Sequence, residues 1–216
     1  MTTIKFCGIT RLCDALAAID AGADMLGFNF YPPSPRSILP MDCKKITSRL
    51  SKDYSHIILV GVFVNMPNQE IAKITDDCGL QLVQLHGDEP PELLAKLPCK
   101  AYKAFRGTPS ESVIKEYTNL SNNTFPKILL DAAVKDIYGG SGISADWKES
   151  AEIAKKTPIL LAGGLTPGNV AEAISQVHPW GVDTASGIEE SPGKKDRKKM
   201  LAFTQAVNSA HSEYFY

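Results

Sequence analysis

Short runs of β-branched and apolar residues alternate with stretches of helical period from one end of the chain to the other. Alternating or continuous apolar positions predict strands over residues 4–7, 25–30, 56–64, 82–85, 100–105, 127–131, 158–162 and 181–183. Between them, apolar residues at helical spacing predict helices over 13–21, 68–78, 91–96, 111–117, 146–155, 167–174 and 196–208. Thr166-Pro167 reads as an N-cap and first helical turn, and Asp42 as the cap of a further helix after the second strand. Regular β-then-α alternation implies parallel strands joined by helical crossovers. About eight such units, without a linker or a shift in composition, predict a single-domain α/β protein over residues 1–216, a (β/α)8 TIM barrel. An open doubly wound sheet is the alternative. It is disfavoured because the first strand is not followed by the Gly-x-Gly-x-x-Gly turn of a dinucleotide fold.

Composition narrows the partners. The 216 residues are 44% apolar and 22% charged with a net charge of -1, values of an ordinary globular protein, so nothing recommends nucleic acid. The one basic cluster, 194–199, is interrupted by Asp196 and opens a predicted helix, which suits a solvated face. No apolar run is long enough for a bilayer and the first five residues lack the layout of a secretion signal, so no membrane association and a cytoplasmic location are expected. The five cysteines at 7, 13, 43, 78 and 99 are odd in number and never spaced Cys-x-x-Cys, and the four histidines fall in unrelated segments. Reduced thiols and no metal site are expected.

Candidate chemistry collects at the ends of the predicted strands. In Ile4-Lys5-Phe6-Cys7, alternation puts Ile4 and Phe6 on the helix-facing side and Lys5 and Cys7 on the barrel's inner side, with the thiol at the reactive end. A lone cysteine is more often an apolar filler, so Cys7 by itself assigns nothing. Asp131 ends the apolar strand Lys127-Ile128-Leu129-Leu130, where partial burial would raise its pKa, and Asp183 ends another as the competing carboxylate. Either one is a proton donor facing a thiol base, or a neighbour-orienting group. Tyr31-Pro32-Pro33-Ser34-Pro35-Arg36-Ser37 is a stiff loop, which makes Arg36 either a clamp for a planar carboxylate or an ordinary surface arginine. Gly139-Gly140-Ser141-Gly142, Gly163-Gly164 and Ser186-Gly187 follow the last three strands, and glycines there open backbone N–H groups to a phosphate.

Taken in order, Lys5-Phe6-Cys7-Gly8-Ile9-Thr10, Gly27-Phe28 with Tyr31 and Arg36, Gly61-Val62-Phe63-Val64-Asn65, Gln84-Leu85-His86-Gly87, Leu130-Asp131 with the glycines at 139–142, Ala162 to Val170, and Ser186-Gly187-Ile188-Glu189 with Pro192 to Asp196 form one pattern. From about Ile4 to Asp196 the chain closely resembles the phosphoribosylanthranilate isomerase family of tryptophan biosynthesis. The resemblance implies an Amadori rearrangement of N-(5'-phosphoribosyl)anthranilate, a small-molecule phosphoribosyl substrate, without a metal or organic cofactor. It implies Asp131 as the general acid that opens the ribose ring and Cys7 as the general base at C2'. It implies Arg36 on the anthranilate carboxylate, a phosphate grip around Gly142, Gly163, Gly164, Ser186 and Gly187, and Asp183 beside them in the substrate site. Because a free thiol titrates near 8.5, a local field favouring the thiolate is expected, and Lys5 on the same strand face is either its source or a filler of the barrel's polar interior.

Three positions depart from the family pattern: Phe6 for an aliphatic residue, Ala145 for a phenylalanine, and Thr184-Ala185 for a Val-Ser pair. Phe6 should affect helix packing alone, and the missing serine at 185 removes one hydroxyl contact to phosphate while leaving backbone amides in place. A dual-substrate isomerase of the histidine and tryptophan pathways would need a second phosphate grip in the N-terminal half and usually paired aspartates. A silent phosphate-binding barrel would not need both Cys7 and Asp131. The aromatic tail Tyr214-Phe215-Tyr216 docks on its own helices or on a second copy, so a monomer or a homodimer is expected.

Overall fold

The computed structural model describes residues 1–120, 125–132 and 147–212. Eight parallel strands close into a barrel in chain order: β1 (Thr3–Cys7), β2 (Met25–Asn29), β3 (Ile58–Phe63), β4 (Leu82–Leu85), β5 (Lys100–Arg106), β6 (Ile128–Asp131), β7 (Ile159–Ala162) and β8 (Gly181–Thr184). The predicted strands fall on these to within a residue or two, and the chain is a (β/α)8 TIM barrel. The strands are followed by the helices α1 (Leu12–Asp20), α2 (Pro40–Asp53), α3 (Asn68–Asp77), α4 (Glu92–Lys96), α5 (Glu111–Leu120), α6 (Trp147–Ala154), α7 (Val170–Val177) and α8 (Arg197–Ser212).

Period-two alternation separates two cores. Outward residues such as Ile4, Leu26, Phe28 and Leu161 pack under the helices, while Met25, Val60, Leu82, Tyr102, Leu129 and Leu160 fill the barrel interior. Phe6 takes the outward position expected of it, fully buried with its ring edge-on to Phe203 of α8 at 5.8 Å between centroids. Lys5 takes the inward one: it is fully buried, and it is the register partner of Asp183 across the β1–β8 seam that closes the barrel. None of the described helices is long and apolar enough to cross a membrane.

Two predicted caps differ in detail. Helix α2 begins at Pro40 with Leu39 in the cap position, so Asp42 lies inside the first turn, because the fixed φ of Pro40 starts the helix three residues earlier than an Asp42 cap would. Helix α7 begins at Val170 with Asn169 before it. The Asn169 side chain accepts from the Thr166 amide at 2.7 Å and closes a separate turn over Thr166-Pro167-Gly168. A feature outside the expected alternation follows β8: a single 3-10 turn (Ser186–Ile188) leads into an antiparallel hairpin of β9 (Glu189–Ser191) and β10 (Lys194–Lys195), turning at Pro192-Gly193.

Candidate active site

The C-terminal ends of the strands surround one cavity of about 360 Å³, whose wall includes Cys7, Arg36, Asp131, Gly164, Asp183 and Ser186. Gly163 lines it as well. The thiol from β1 and the carboxyl from β6, 124 residues apart in the chain, thus open into the same space because both terminate strands of a closed barrel. Gly27, the register partner of Cys7, leaves the sulfur room: a Cβ at that position would lie 2.8 Å from Sγ. Gly163 and Gly164 both hold left-handed backbone (φ +104° and +65°), which lets the chain turn immediately after β7 with no side chain over the cavity. Gly187 is not on the cavity wall. A Cβ there would come within 1.9 Å of the Leu165 carbonyl oxygen, so its glycine serves close packing of the 3-10 turn on the loop after β7. Gly142 and Ala145 lie outside the described residues, as does the aromatic tail.

Electrostatics on the cavity floor are set by Lys5, whose Nζ donates to Asp183 Oδ1 at 2.7 Å. Burial opposes the Lys5 charge, but the Asp183 carboxylate, through its charge and this hydrogen bond, is its foremost support and the ammonium stays above its usual pKa. For Cys7 the balance falls the other way. Burial pushes the thiol up, Lys5 and then Lys195 pull it down, Asp183 adds to the upward push, and the net shift is upward. The expected cationic field is therefore present but outweighed by burial, and the resting group is a neutral thiol. Alkylation of Cys7 by iodoacetamide, followed on its own peptide by mass spectrometry, should keep accelerating above pH 9; a plateau reached below pH 8 would contradict this balance.

His86, just beyond β4, also lines the cavity. The Tyr102 hydroxyl donates to Gln84 Oε1 at 2.8 Å, which turns the Gln84 amide nitrogen toward His86 Nδ1 at 3.1 Å. Nδ1 then accepts and the proton resides on Nε2. Burial holds His86 below its usual pKa, partly opposed by Asp131, so the imidazole is neutral near pH 7. No role for His86 was read from sequence, although the i, i+2 spacing of Gln84 and His86 on one strand face was available.

Arg36 does not project freely. Its Nε and Nη2 donate to the two carboxylate oxygens of Glu189 at 2.9 and 2.7 Å, a pairing across 153 residues that no local spacing signals. The described residues include no cluster of three or more His, Cys, Asp or Glu side chains arranged to hold a metal ion.

Comparison with known proteins agrees with the geometry. The family model described as N-(5'phosphoribosyl)anthranilate (PRA) isomerase matches residues 4–206. The N-(5'-phosphoribosyl)anthranilate isomerase of Pelobacter propionicus is 44% identical over 213 residues, covering 99% of each chain. Among solved structures, the phosphoribosyl anthranilate isomerase of Thermotoga maritima superposes with a TM-score of 0.84 at 39% identity, covering 97% of this chain and 100% of its own. A phosphoribosyl anthranilate isomerase solved in complex with reduced 1-(o-carboxyphenylamino)-1-deoxyribulose 5-phosphate gives a TM-score of 0.81 at 35% identity, with 97% and 100% covered. A thiol and a carboxyl facing one strand-end cavity, in a sequence matched over nearly its whole length, lead to one conclusion: the chain belongs to the N-(5'-phosphoribosyl)anthranilate isomerase family.

Proposed function

We propose that the chain carries out the isomerase reaction of its family, in tryptophan biosynthesis, with Asp131 as general acid and Cys7 as general base. Asp131 protonates the ribose ring oxygen as the C1'–O bond breaks, and the anthranilate nitrogen supplies the electron pair that leaves an iminium. That cation acidifies the C2' hydrogen, which passes to the sulfur of Cys7. The resulting enaminol gains a proton at C1' and loses its 2'-hydroxyl proton to solvent, which gives the ketone, 1-(2-carboxyphenylamino)-1-deoxyribulose 5-phosphate. Because burial holds the resting group as a thiol, its own proton must first leave to solvent through the open cavity; the positive iminium beside C2' then offsets the cost of the buried thiolate that takes the C2' hydrogen as a proton.

The single observation that carries this reading is the opening of Cys7 and Asp131 into one cavity. Backbone amides around Gly163, Gly164 and Ser186 would take the phosphate, and Arg36 the ring carboxylate. The departure at Ala185 is tolerable because amides need no side-chain hydroxyl. Arg36→Met should raise KM about tenfold or more with a smaller change in kcat, as expected for loss of a charge-assisted contact made in the ground state and the transition state alike. Unchanged affinity for a product analogue would remove Arg36 from that role.

The same reading treats residues 1–216 as one catalytic domain working in the cytoplasm on a small phosphoribosyl substrate, as a monomer or a homodimer. It gives no part to a metal, an organic cofactor, nucleic acid or membrane. Expression in a tryptophan auxotroph lacking this isomerase tests it: growth without tryptophan is the expected result. Failure of well-expressed protein to support growth, together with no turnover of the substrate in vitro, would leave the silent phosphate-binding barrel.

A further inference from the structure

An arginine guanidinium has five N–H groups on two usable edges, a side-on pair (Nε with one Nη) and an end-on pair (both Nη). In Arg36 the side-on edge is occupied by Glu189, through Nε to Oε1 at 2.9 Å and Nη2 to Oε2 at 2.7 Å. The end-on edge remains, on a side chain that lines the substrate cavity. Its aliphatic stem is set by Gly8, where a Cβ would lie 2.7 Å from Arg36 Cδ.

Glu189 is itself held on every side. Lys195 Nζ donates to Oε1 at 2.9 Å and to the Ala185 carbonyl at 3.0 Å, while Lys199 Nζ donates to the Glu189 carbonyl at 2.7 Å. The Gly193 amide approaches Oε1 at 3.3 Å, and the Thr10 hydroxyl ties the hairpin turn to the first βα loop through the Gly193 carbonyl at 2.7 Å. Burial favours the neutral Glu189 carboxyl, but Arg36 and Lys195 outweigh it and keep it below the usual glutamate pKa, hence charged. Arg36 and Lys195 thus share one buried carboxylate, which leaves this group of three with one net positive charge. The neighbouring carboxylate Asp14 is occupied by Arg11.

We infer that Glu189 is the positioning residue for carboxylate recognition: the β9–β10 hairpin uses it to grip the side-on edge of Arg36 and present the end-on edge to the carboxylate of an N-aryl sugar phosphate. This rests on the reading that Arg36 holds that carboxylate, and deepens it. A guanidinium already ordered in the free enzyme loses little rotamer freedom on binding, and a substrate carboxylate there neutralises the surplus charge. Were Glu189 instead an internal competitor for Arg36, its removal would strengthen carboxylate binding, the opposite sign.

The test uses two probes, reduced 1-(o-carboxyphenylamino)-1-deoxyribulose 5-phosphate and the same compound without the ring carboxylate. Their dissociation constants are measured on the wild type, Glu189→Gln, Glu189→Asp and Arg36→Met. The ratio between the two probes reports carboxylate recognition alone, since general loosening of the fold weakens both together. Glu189→Gln should reduce the ratio on the order of tenfold. Glu189→Asp keeps the charge on Lys195 but is one methylene short of Arg36, so it should give an intermediate ratio; it carries the same test should the glutamine variant not fold. An unchanged or increased ratio in the Glu189 variants, with a collapsed ratio in Arg36→Met, would overturn the positioning role while leaving Arg36 as the clamp. A ratio unaffected by Arg36→Met would overturn the clamp itself.

Discussion

Cys7→Ser and Asp131→Asn should each lower kcat by about 10²–10⁴-fold, the range supplied by a positioned acid or base, with a much smaller change in affinity for the reduced product analogue. Serine keeps the shape of the side chain but has a hydroxyl far too weakly acidic to serve as the base at C2'. Asparagine keeps the size of Asp131 and cannot deliver a proton to the ring oxygen. Both side chains stand at strand ends rather than inside the packed cores, so neither substitution opens a large cavity in the fold. Steady-state kinetics paired with binding of the analogue separates chemistry from affinity. Near-normal turnover in either variant would take that residue out of the reaction.

Among the substitutions considered, Lys5→Met should be the most destabilising, by about 3–5 kcal/mol, because it leaves the nearly buried Asp183 carboxylate at the cavity wall without its counter-charge. The paired variant Lys5→Met/Asp183→Asn should recover part of that loss, since no charge is left uncompensated. Urea unfolding of the three proteins measures it. Equal stabilities of wild type and Lys5→Met would contradict the importance assigned to the β1–β8 seam. The pH dependence has a definite sign. The pKa of Lys5 is raised on folding, so its contribution is complete below the unfolded lysine pKa, about 10.4, and is lost only as pH rises beyond that toward the folded value. The stabilisation from this pair should therefore show no Lys5-dependent change between neutrality and pH 9. Removing Lys5 also removes the strongest pull toward the Cys7 thiolate, so alkylation of Cys7 in Lys5→Met should slow.

The barrel was legible because period-two alternation is local. Ile4 and Phe6 facing out and Lys5 facing in are consequences of strand geometry, and each is found where alternation puts it. Asp131 and Cys7 were legible as strand-end groups for the same reason, and closure of the sheet brings them to one cavity. What pattern could not give were pairings set by tertiary contact. Glu189 reaches Arg36 from a hairpin that interrupts the β/α alternation, and only Pro192-Gly193 hinted at a turn there. The raised pKa of Cys7 was equally out of reach, since it is a balance of burial against two lysines, one of them 188 positions away. Asp42 shows the limit of capping signals: with Pro40 upstream, the helix had already begun.

The most direct measurement of the central claim is a structure of this protein with reduced 1-(o-carboxyphenylamino)-1-deoxyribulose 5-phosphate bound. The account predicts the sulfur of Cys7 in van der Waals contact with C2', about 3.5–4 Å away, and an Asp131 carboxyl oxygen within hydrogen-bond reach, roughly 2.6–3.2 Å, of the C4' hydroxyl that formed the ring. A sugar seated with its C2' and C4' groups turned away from either residue would contradict it.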